Sequence, residues 1–475
     1  MSDTESERKR AEPIDAPFYD YAFDVIVVGA GLAGSAAAIT MAREGLDVIM
    51  IERGAYPGAK NVFGGVLYTP TIRDLVDIDS APTERHIEEK RFAMLTDDDE
   101  LAASITLGEW REPPHNDSYT VYRGRFDRWF AEQAEDAGAT LITETTVTGL
   151  LREDGQVVGV ETDRPDGALR APVVVLAEGG NSLVAESADL KDSADREHVA
   201  VAVKEVLEFP DADNAIEQRF RLNDKAGSAY HYFGSGAVGD AFGGAFIYTN
   251  SSTVSVGLAY RIGDAVERQP DPEATLNAFK SHPAVAPLVA GGRTVEYGAK
   301  TIPEGGASAV PKLVHDGAVL VGDAAGLVLN NGIHLEGTNM AVESGYLAGQ
   351  AIAKAFENAR DTIRPVDAAP VATRADGGVT ITEAELQGYP DAMNSSFVLE
   401  NLDHYEWLIN TVVADRELCF EQLPDSLARA AAEYFRMDRT PKTVHGQRAK
   451  DELLATLGGW RGAIRLAWRY RHLVR

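Results

Sequence analysis

Apolar runs that close on glycine recur along the chain and set its expected architecture. Phe23 to Val28 is a short β-branched run ending at Gly29, the pattern of a strand buried on both faces. A helix over 31–44 and a second strand over 47–51 follow, so strand, tight turn, helix and strand fall within about thirty residues. That is a βαβ unit. The pattern returns as an amphipathic helix over 126–137, strand-like segments at 140–144 and 157–162, and a buried strand over 172–177 before Gly179 and Gly180. It returns again at Ala318 to Gly322, followed by a long helix over 337–357. Between these returns, residues 199–260 alternate apolar and polar positions, which predicts antiparallel strands with one wet face.

The expected organisation is therefore discontinuous. Residues 22–85, 120–182 and 295–358 form one α/β unit, and 86–119 with 183–294 form an inserted antiparallel-sheet unit. Residues 1–21 read as a disordered lead-in, 359–385 as a linker or surface insertion rich in Pro, Gly, Ala, Thr and Asp, and 386–475 as a helical C-terminal region.

Charge changes the picture in what it excludes. Among 475 residues, 45 Lys and Arg face 74 Asp and Glu, a net charge of −29, so no nucleic-acid partner of the ordinary basic kind is expected. Only 12 of the basic residues are Lys and the acidic excess is spread along the chain, a composition resembling that of extreme halophiles. In molar salt the Debye length is roughly 3 Å, which screens the self-repulsion. One cysteine, Cys419, excludes an intrachain disulfide, a Cys-rich zinc site and a self-contained four-Cys iron–sulfur cluster, and no metal site is expected. The first 21 residues are too polar for a signal or transit peptide, and the longest apolar stretch, 25–39, is broken by Gly29, Gly31 and Gly34. The expected location is cytoplasmic, with peripheral contact at the inner face of the cell membrane.

Gly29-Ala30-Gly31-Leu32-Ala33-Gly34 fits G-x-G-x-x-G and lies between a predicted strand and helix. Gly29 permits the tight turn, Gly31 lets backbone approach a pyrophosphate, Gly34 lets helix pack on strand, and the helix start offers N–H groups to the anion. Glu52, followed by Arg53, ends the second strand where an acid binds the adenosine ribose hydroxyls. Gly322-Asp323-Ala324 ends a later buried strand. Alone, Asp323 is as well read as a helix cap; joined to the first motif it is placed to accept from a ribitol hydroxyl. Arg123 opens a helix and is either a surface charge or a pyrophosphate partner. Lys60-Asn61-Val62-Phe63-Gly64-Gly65 and the loop Asn331 to Thr338, with Gly332 and Gly337, are glycine-punctuated segments that let backbone lie against a flat ring. With Ala30, Ala33, Ala324 and Val147, these residues make up the expected set for FAD.

The glycine motif with Glu52-Arg53, Arg-x-x-Phe-Asp at Arg123 and Gly322-Asp323 resemble the glutathione-reductase-type flavoproteins over most of 23–355. Gly58 to Gly65, His282-Pro-Ala-Val-Ala-Pro-Leu-Val-Ala-Gly-Gly292 and Val295-Glu-Tyr resemble the FixC branch, relatives of the electron-transfer-flavoprotein:quinone oxidoreductases. The resemblance implies a Rossmann-like FAD domain with an inserted substrate domain. It also implies electron transfer from an electron-transfer flavoprotein (ETF) to membrane quinone, within a FixABCX-like complex. The Cys-ligated cluster of the single-chain quinone oxidoreductases has no ligands here, so the resemblance implies a separate small ferredoxin-like iron–sulfur subunit. Geranylgeranyl (prenyl lipid) reduction is the alternative within the same superfamily. Against it, the stretch Gly243 to Asn250 lacks the proline of the aromatic-x-aromatic-x-Phe-Pro strand of those reductases. Glu178-Gly179, where hydroxylases have Asp-Gly, weighs against nicotinamide-driven hydroxylation. A flavin-binding scaffold without turnover is the third reading.

Quinone reduction consumes two protons, and His334, Glu336 and Tyr248 are the candidate relay, although His334 equally reads as a loop histidine and Glu336 as a helix-start acid. From Arg439 to Arg475, nine Lys or Arg face two acids, and Trp460, Ile464 and Trp468 recur every fourth residue beside Arg461, Arg465 and Arg469. Such a helix suits an anionic membrane surface, or packing on its own acidic domain or the ferredoxin-like subunit.

Overall fold

The computed structural model describes residues 23–61, 64–111, 117–165, 167–210, 214–239, 241–268, 271–363 and 381–471. The lead-in at 1–21, Val62 and Phe63, most of the 359–385 insertion, and the last four residues lie outside the described residues.

The apolar run of the first strand, Val25–Val28, is wholly buried, with parallel neighbours on both sides and helix Leu32–Arg43 packed on it. It pairs in register with Val48–Ile51 on one side and Val173–Leu176 on the other. Ala318–Leu320 joins beyond Val173–Leu176, and Thr140–Ile142 joins beyond Val48–Ile51. With the short antiparallel Val314–His315 this makes a six-stranded sheet. Helix Leu32–Arg43 covers it and packs closely on the long helix Thr338–Ile363. The approach is close because the facing residues are small: a Cβ on Gly345 would stand 2.1 Å from the Ala33 carbonyl oxygen. A separate three-stranded antiparallel sheet, Val147–Glu153, Gln156–Thr162 and Ala168–Arg170, stands beside this unit.

A nine-stranded sheet forms the second layer. Its path runs Arg293–Pro303, Val199–Glu208, Thr253–Arg261, Gly243–Thr249, Ala226–Phe233, Thr83–Leu95, Ser118–Val121 and Gly65–Tyr68, with Glu100–Ile105 paired to Thr83–Leu95. Two of these strands, Gly65–Tyr68 and Arg293–Pro303, were expected in the first unit. Each takes an end of this sheet's path by pairing its backbone with a neighbour, Arg293–Pro303 along the whole of Val199–Glu208. Most pairings are antiparallel, but Ala226–Phe233 runs parallel to Thr83–Leu95.

The expected wet face is absent from the sheet's centre. Ala226–Phe233 and Thr253–Arg261 are buried at nearly every position, so both faces are covered. On one side Leu276 and Phe279 of helix Pro272–Ser281, with Ile216 and Phe220, pack against Val256, Leu258 and Tyr232 in a core distinct from that of the six-stranded sheet. The other side faces a cavity.

The insertion's described ends are not free linker. Ile381 is fully buried and its carbonyl accepts from Gly317 N–H at 3.0 Å. The C-terminal region is helical as expected, from Gly388–Asn394 to Gly459–Arg469. It is tied down by the Tyr389 hydroxyl, which donates to the Leu320 carbonyl (3.2 Å), and by Arg416 with Asp264 (2.5 Å). Among the described residues no helix is long and apolar enough to cross a membrane.

Candidate functional site

A cavity of about 440 Å³ lies between the two sheets, and most of the expected set lines it. Gly29, Gly31, Ala33, Glu52, Arg53 and Val147 line it, as do Gly64, Gly65, Gly332, His334, Gly337 and Thr338. Lys60, Asn61, Arg123, Tyr248 and Asp323 also face it. Ala30, Gly34, Gly322, Ala324 and Glu336, expected at the site, stand behind its wall. They support the lining instead. Ala30 N–H donates to Glu52, Gly322 N–H donates to the Ser344 hydroxyl (2.9 Å), and the Ala324 carbonyl accepts from Lys191 (3.1 Å).

The βαβ turn is built as its glycines require. Gly29 has φ +98°, and a Cβ there would stand 2.5 Å from the Ala177 carbonyl oxygen. A Cβ on Gly34 would meet the Gly29 carbonyl oxygen at 1.9 Å, while one on Gly31 would meet nothing within 4 Å. Gly31 therefore borders open cavity. It also caps helix Leu32–Arg43 without a side chain, so the first-turn N–H groups are left for a ligand. The Glu52 carboxylate accepts from Ala30 N–H (3.2 Å) and Gly54 N–H (2.6 Å), which fixes it at the mouth of that turn.

Three cations gather further along. Arg123 is held by a bidentate pair with Asp127 (2.7 and 2.9 Å), and Asn61 donates to the same carboxylate (2.6 Å). Lys300 lies 3.2 Å from Asp323. Lys204 donates to the Gly64 carbonyl and sits 5.4 Å from the Phe246 ring centre. These residues fit FAD: an uncapped helix start and Arg123 for the pyrophosphate, Glu52 for the ribose, Asp323 for the ribitol, and a Gly64–Gly65 and Gly332–Thr338 rim with no bulky side chain at its glycines.

The expected relay is brought together. His334 Nε2 lies 2.9 Å from Glu336 Oε1, and Asn331 and Asn339 each donate to the same carboxylate at 3.2 Å. Burial alone would raise Glu336, but the His334 hydrogen bond and charge, with Asn339 and Lys90, outweigh it and hold the carboxyl below its ordinary value. His334 Nδ1 is buried and, among the described residues, has no hydrogen-bond partner. Tyr248 joins through His231, whose ring lies 5.1 Å from His334 and 5.8 Å from Tyr248. Burial raises the Tyr248 phenol, so it stays protonated.

His231, Lys204, Lys300 and Lys90 went unremarked in the sequence. His231 stacks on Phe92 at 5.6 Å, and burial, then His334 and Lys90, push its imidazole well below its ordinary value. Burial also lowers the Lys90 ammonium, which lies 5.7 Å from the Tyr68 ring centre and is drawn the other way by Glu336. The one signal for Lys204 was a cation inside an apolar alternating run, Val199 to Leu207.

A fold of this kind, with a dinucleotide turn opening on a cavity roofed by a second sheet, defines an FAD-dependent oxidoreductase. The family model described as FAD dependent oxidoreductase matches residues 24–226, and that described as ETF-QO, ubiquinone-binding matches residues 200–302. The chain belongs to the FixC family. It is 38% identical to protein FixC of Azorhizobium caulinodans over 454 residues, covering 95% of this chain and 98% of that one. It is 37% identical to a probable electron transfer flavoprotein-quinone oxidoreductase of Escherichia coli, covering 94% and 100%. Among solved structures, a geranylgeranyl bacteriochlorophyll reductase-like protein of Thermoplasma acidophilum superposes with TM-score 0.64 at 20% identity, covering 95% and 97%, a likeness of fold.

Proposed function

We propose that the protein passes electrons from an electron-transfer flavoprotein to membrane quinone, as the flavin subunit of a FixABCX-like complex that includes a small ferredoxin-like subunit. The observation that carries this reading is that the two matched segments meet at one cavity. Residues 24–226 supply Gly31 and Glu52, whereas His231 and Tyr248 of the opposite wall, with Lys300, fall within 200–302.

Bound FAD supplies the chemistry, accepting two electrons from one partner and releasing them to another. The chain's residues do the rest. Glu52, Arg123 and Asp323 hold and orient the dinucleotide, and the sheet roof excludes water. His334 Nδ1 faces a buried position where it can give a proton to a reduced quinone oxygen, and Glu336 at Nε2 stabilises the imidazolium that re-forms. Tyr248 keeps its proton and offers a hydrogen bond.

Membrane contact is part of the same proposal. Trp460, Ile464 and Trp468 on helix Gly459–Arg469 are 61%, 67% and 65% exposed, and Phe435 and Met437 add to the apolar surface. Arg469 is drawn away from the cationic stripe to Asp415 (2.6 Å), which leaves Arg461 and Arg465 beside the tryptophans. The Tyr470 hydroxyl, just past the end of this helix, lies 3.5 Å from Cys419 Sγ, and the next residue, Phe420, lines the cavity.

The test is anaerobic. In high salt, reduced ETF should bleach the visible flavin band and a quinone analogue should restore it. Rapid bleaching by NADH or NADPH, or restoration by a prenyl substrate and not by quinone, would overturn the reading.

A further inference from the structure

Lys204 is a cation that the steps above leave unused. It extends from the centre of strand Val199–Glu208, opposite Gly257 in one neighbouring strand and Gly298 in the other. A Cβ on Gly257 would stand 2.5 Å from the Phe246 ring, so glycine there lets that ring lie beside Lys204, whose Nζ reaches the Gly64 carbonyl. With Glu52 at the ribose and Asp323 at the ribitol, the redox-active ring of the cofactor would lie beyond Asp323, beside the segment Gly64 to Tyr68 that Thr338 ties to the long helix.

The groups facing it from every packed element are mostly cationic or neutral. Arg123 opens the helix beside it, Lys300 and Glu296 come from the strand Arg293–Pro303, and Phe246 from Gly243–Thr249 covers it. Arg123 is balanced by Asp127 and Lys300 by Asp323, but among the described residues Lys204 meets a carbonyl and a ring face, and Glu296 is the charge that attracts it.

We propose that Lys204 is the charge-compensating proton holder of the ring end, protonating as the bound cofactor is reduced and releasing that proton as the electrons leave. This inference rests on the reading of the cavity as the FAD site between an electron donor and quinone. Burial first, then Arg123 and Lys300, bring the Lys204 ammonium down to about 7, so that it exchanges protons in the neutral range. Two electrons and one proton entering the ring add one negative charge beside Nζ, and an opposite charge raises the affinity of Nζ for a proton. Lys204 takes that proton from solvent, and the cavity's net charge is unchanged. When a quinone accepts the two electrons it also needs two protons to become the quinol; the ring supplies one and His334 hands over the other, and the proton that Lys204 releases makes good the one His334 has lost, so the total stays two.

Linkage makes this measurable as a potential. Each proton taken up with two electrons lowers the midpoint potential by about 30 mV per pH unit. Below pH 7 Lys204 is charged in both redox states and only the ring's proton counts. Above 7 the second proton appears, so the slope of the wild type steepens from about 30 to about 59 mV per pH unit. A second protonation of the ring itself would steepen the acid side instead.

The experiment is anaerobic spectroelectrochemistry of the FAD-loaded protein from pH 6 to 9, on the wild type, Lys204→Met and Lys204→Arg. Lys204→Met should keep one shallow slope throughout at a lowered potential. Lys204→Arg, charged at every pH, should keep the shallow slope at a potential above that of Lys204→Met. A wild type with the shallow slope across the range overturns the proposal without any variant, and so does a steep alkaline slope that survives in Lys204→Met or Lys204→Arg. A purely structural role, bracing Gly64, would shift thermal stability and leave the slope alone. Failure of the wild type to bind FAD in this cavity would instead overturn the site itself, and the proposal with it.

Discussion

Replacing Gly31 with alanine separates the fold from the cofactor. The residue has φ −79° and ψ −168°, ordinary extended backbone, and a Cβ there meets nothing within 4 Å. Alanine caps a helix less well than glycine, a loss of up to about 1 kcal/mol, while the lower entropy of the unfolded chain returns about 0.4–1 kcal/mol. The apoprotein should therefore melt within about 3 °C of the wild type. The same methyl group projects into the space in front of the uncapped helix start. Forcing a pyrophosphate past one extra methyl costs about 1–3 kcal/mol, or roughly 5- to 150-fold in FAD affinity. Fluorescence titration of the apoprotein with FAD, beside its thermal unfolding curve, reads both quantities. Gly34→Ala is the contrast, since its Cβ would lie 1.9 Å from the Gly29 carbonyl oxygen, and it should fail to fold. FAD affinity of Gly31→Ala within about twofold of the wild type would refute the placement of the pyrophosphate at this turn.

Glu52→Ala and Asp323→Ala should each release FAD on gel filtration; stoichiometric flavin retained in the purified variants would contradict their roles. His231 binds protons more weakly in the fold than in the unfolded chain, so the unfolded state gains protons first and stability falls as pH drops below about 6.5, at up to about 1.4 kcal/mol per pH unit. His231→Phe should flatten the denaturant midpoint between pH 5 and 6.5, and an unchanged acid slope would count against a buried neutral imidazole. Deleting 453–475 should abolish sedimentation with anionic vesicles while the flavin is retained, and continued sedimentation would place the membrane contact elsewhere.

The floor of the site was legible because its signals are local. Gly29 to Gly34 and Glu52 lie within one βαβ unit; Gly29 and Gly34 answer to backbone demands that no other residue meets, and Gly31 to the open space in front of the helix start. Asp323 was legible only in combination with that motif. The roof was not legible, because its residues converge through sheet register: His231 reaches Phe92 through the parallel pairing of Ala226–Phe233 with Thr83–Leu95, and Lys204 reaches Gly64 across the cavity. Alternation along 199–260 correctly implied strands, but it says nothing of what lies over each face, and here helices cover one and the cavity the other. Gly65–Tyr68 and Arg293–Pro303 were assigned by their neighbours in sequence, whereas backbone pairing decides which sheet a strand joins.

The order of strands in the six-stranded sheet has a consequence for biosynthesis. Val173–Leu176 pairs on one side with a strand made long before it, but its other neighbour is Ala318–Leu320. At roughly 5–20 residues per second the ribosome takes on the order of ten seconds to reach that partner. Throughout that wait the nascent chain carries an open, wholly apolar strand edge, a template for pairing with another chain. Asp323 and Thr338 emerge later still, so the cradle can be loaded only near the end of translation, and nascent chains stalled before residue 318 are the species a chaperone must shield.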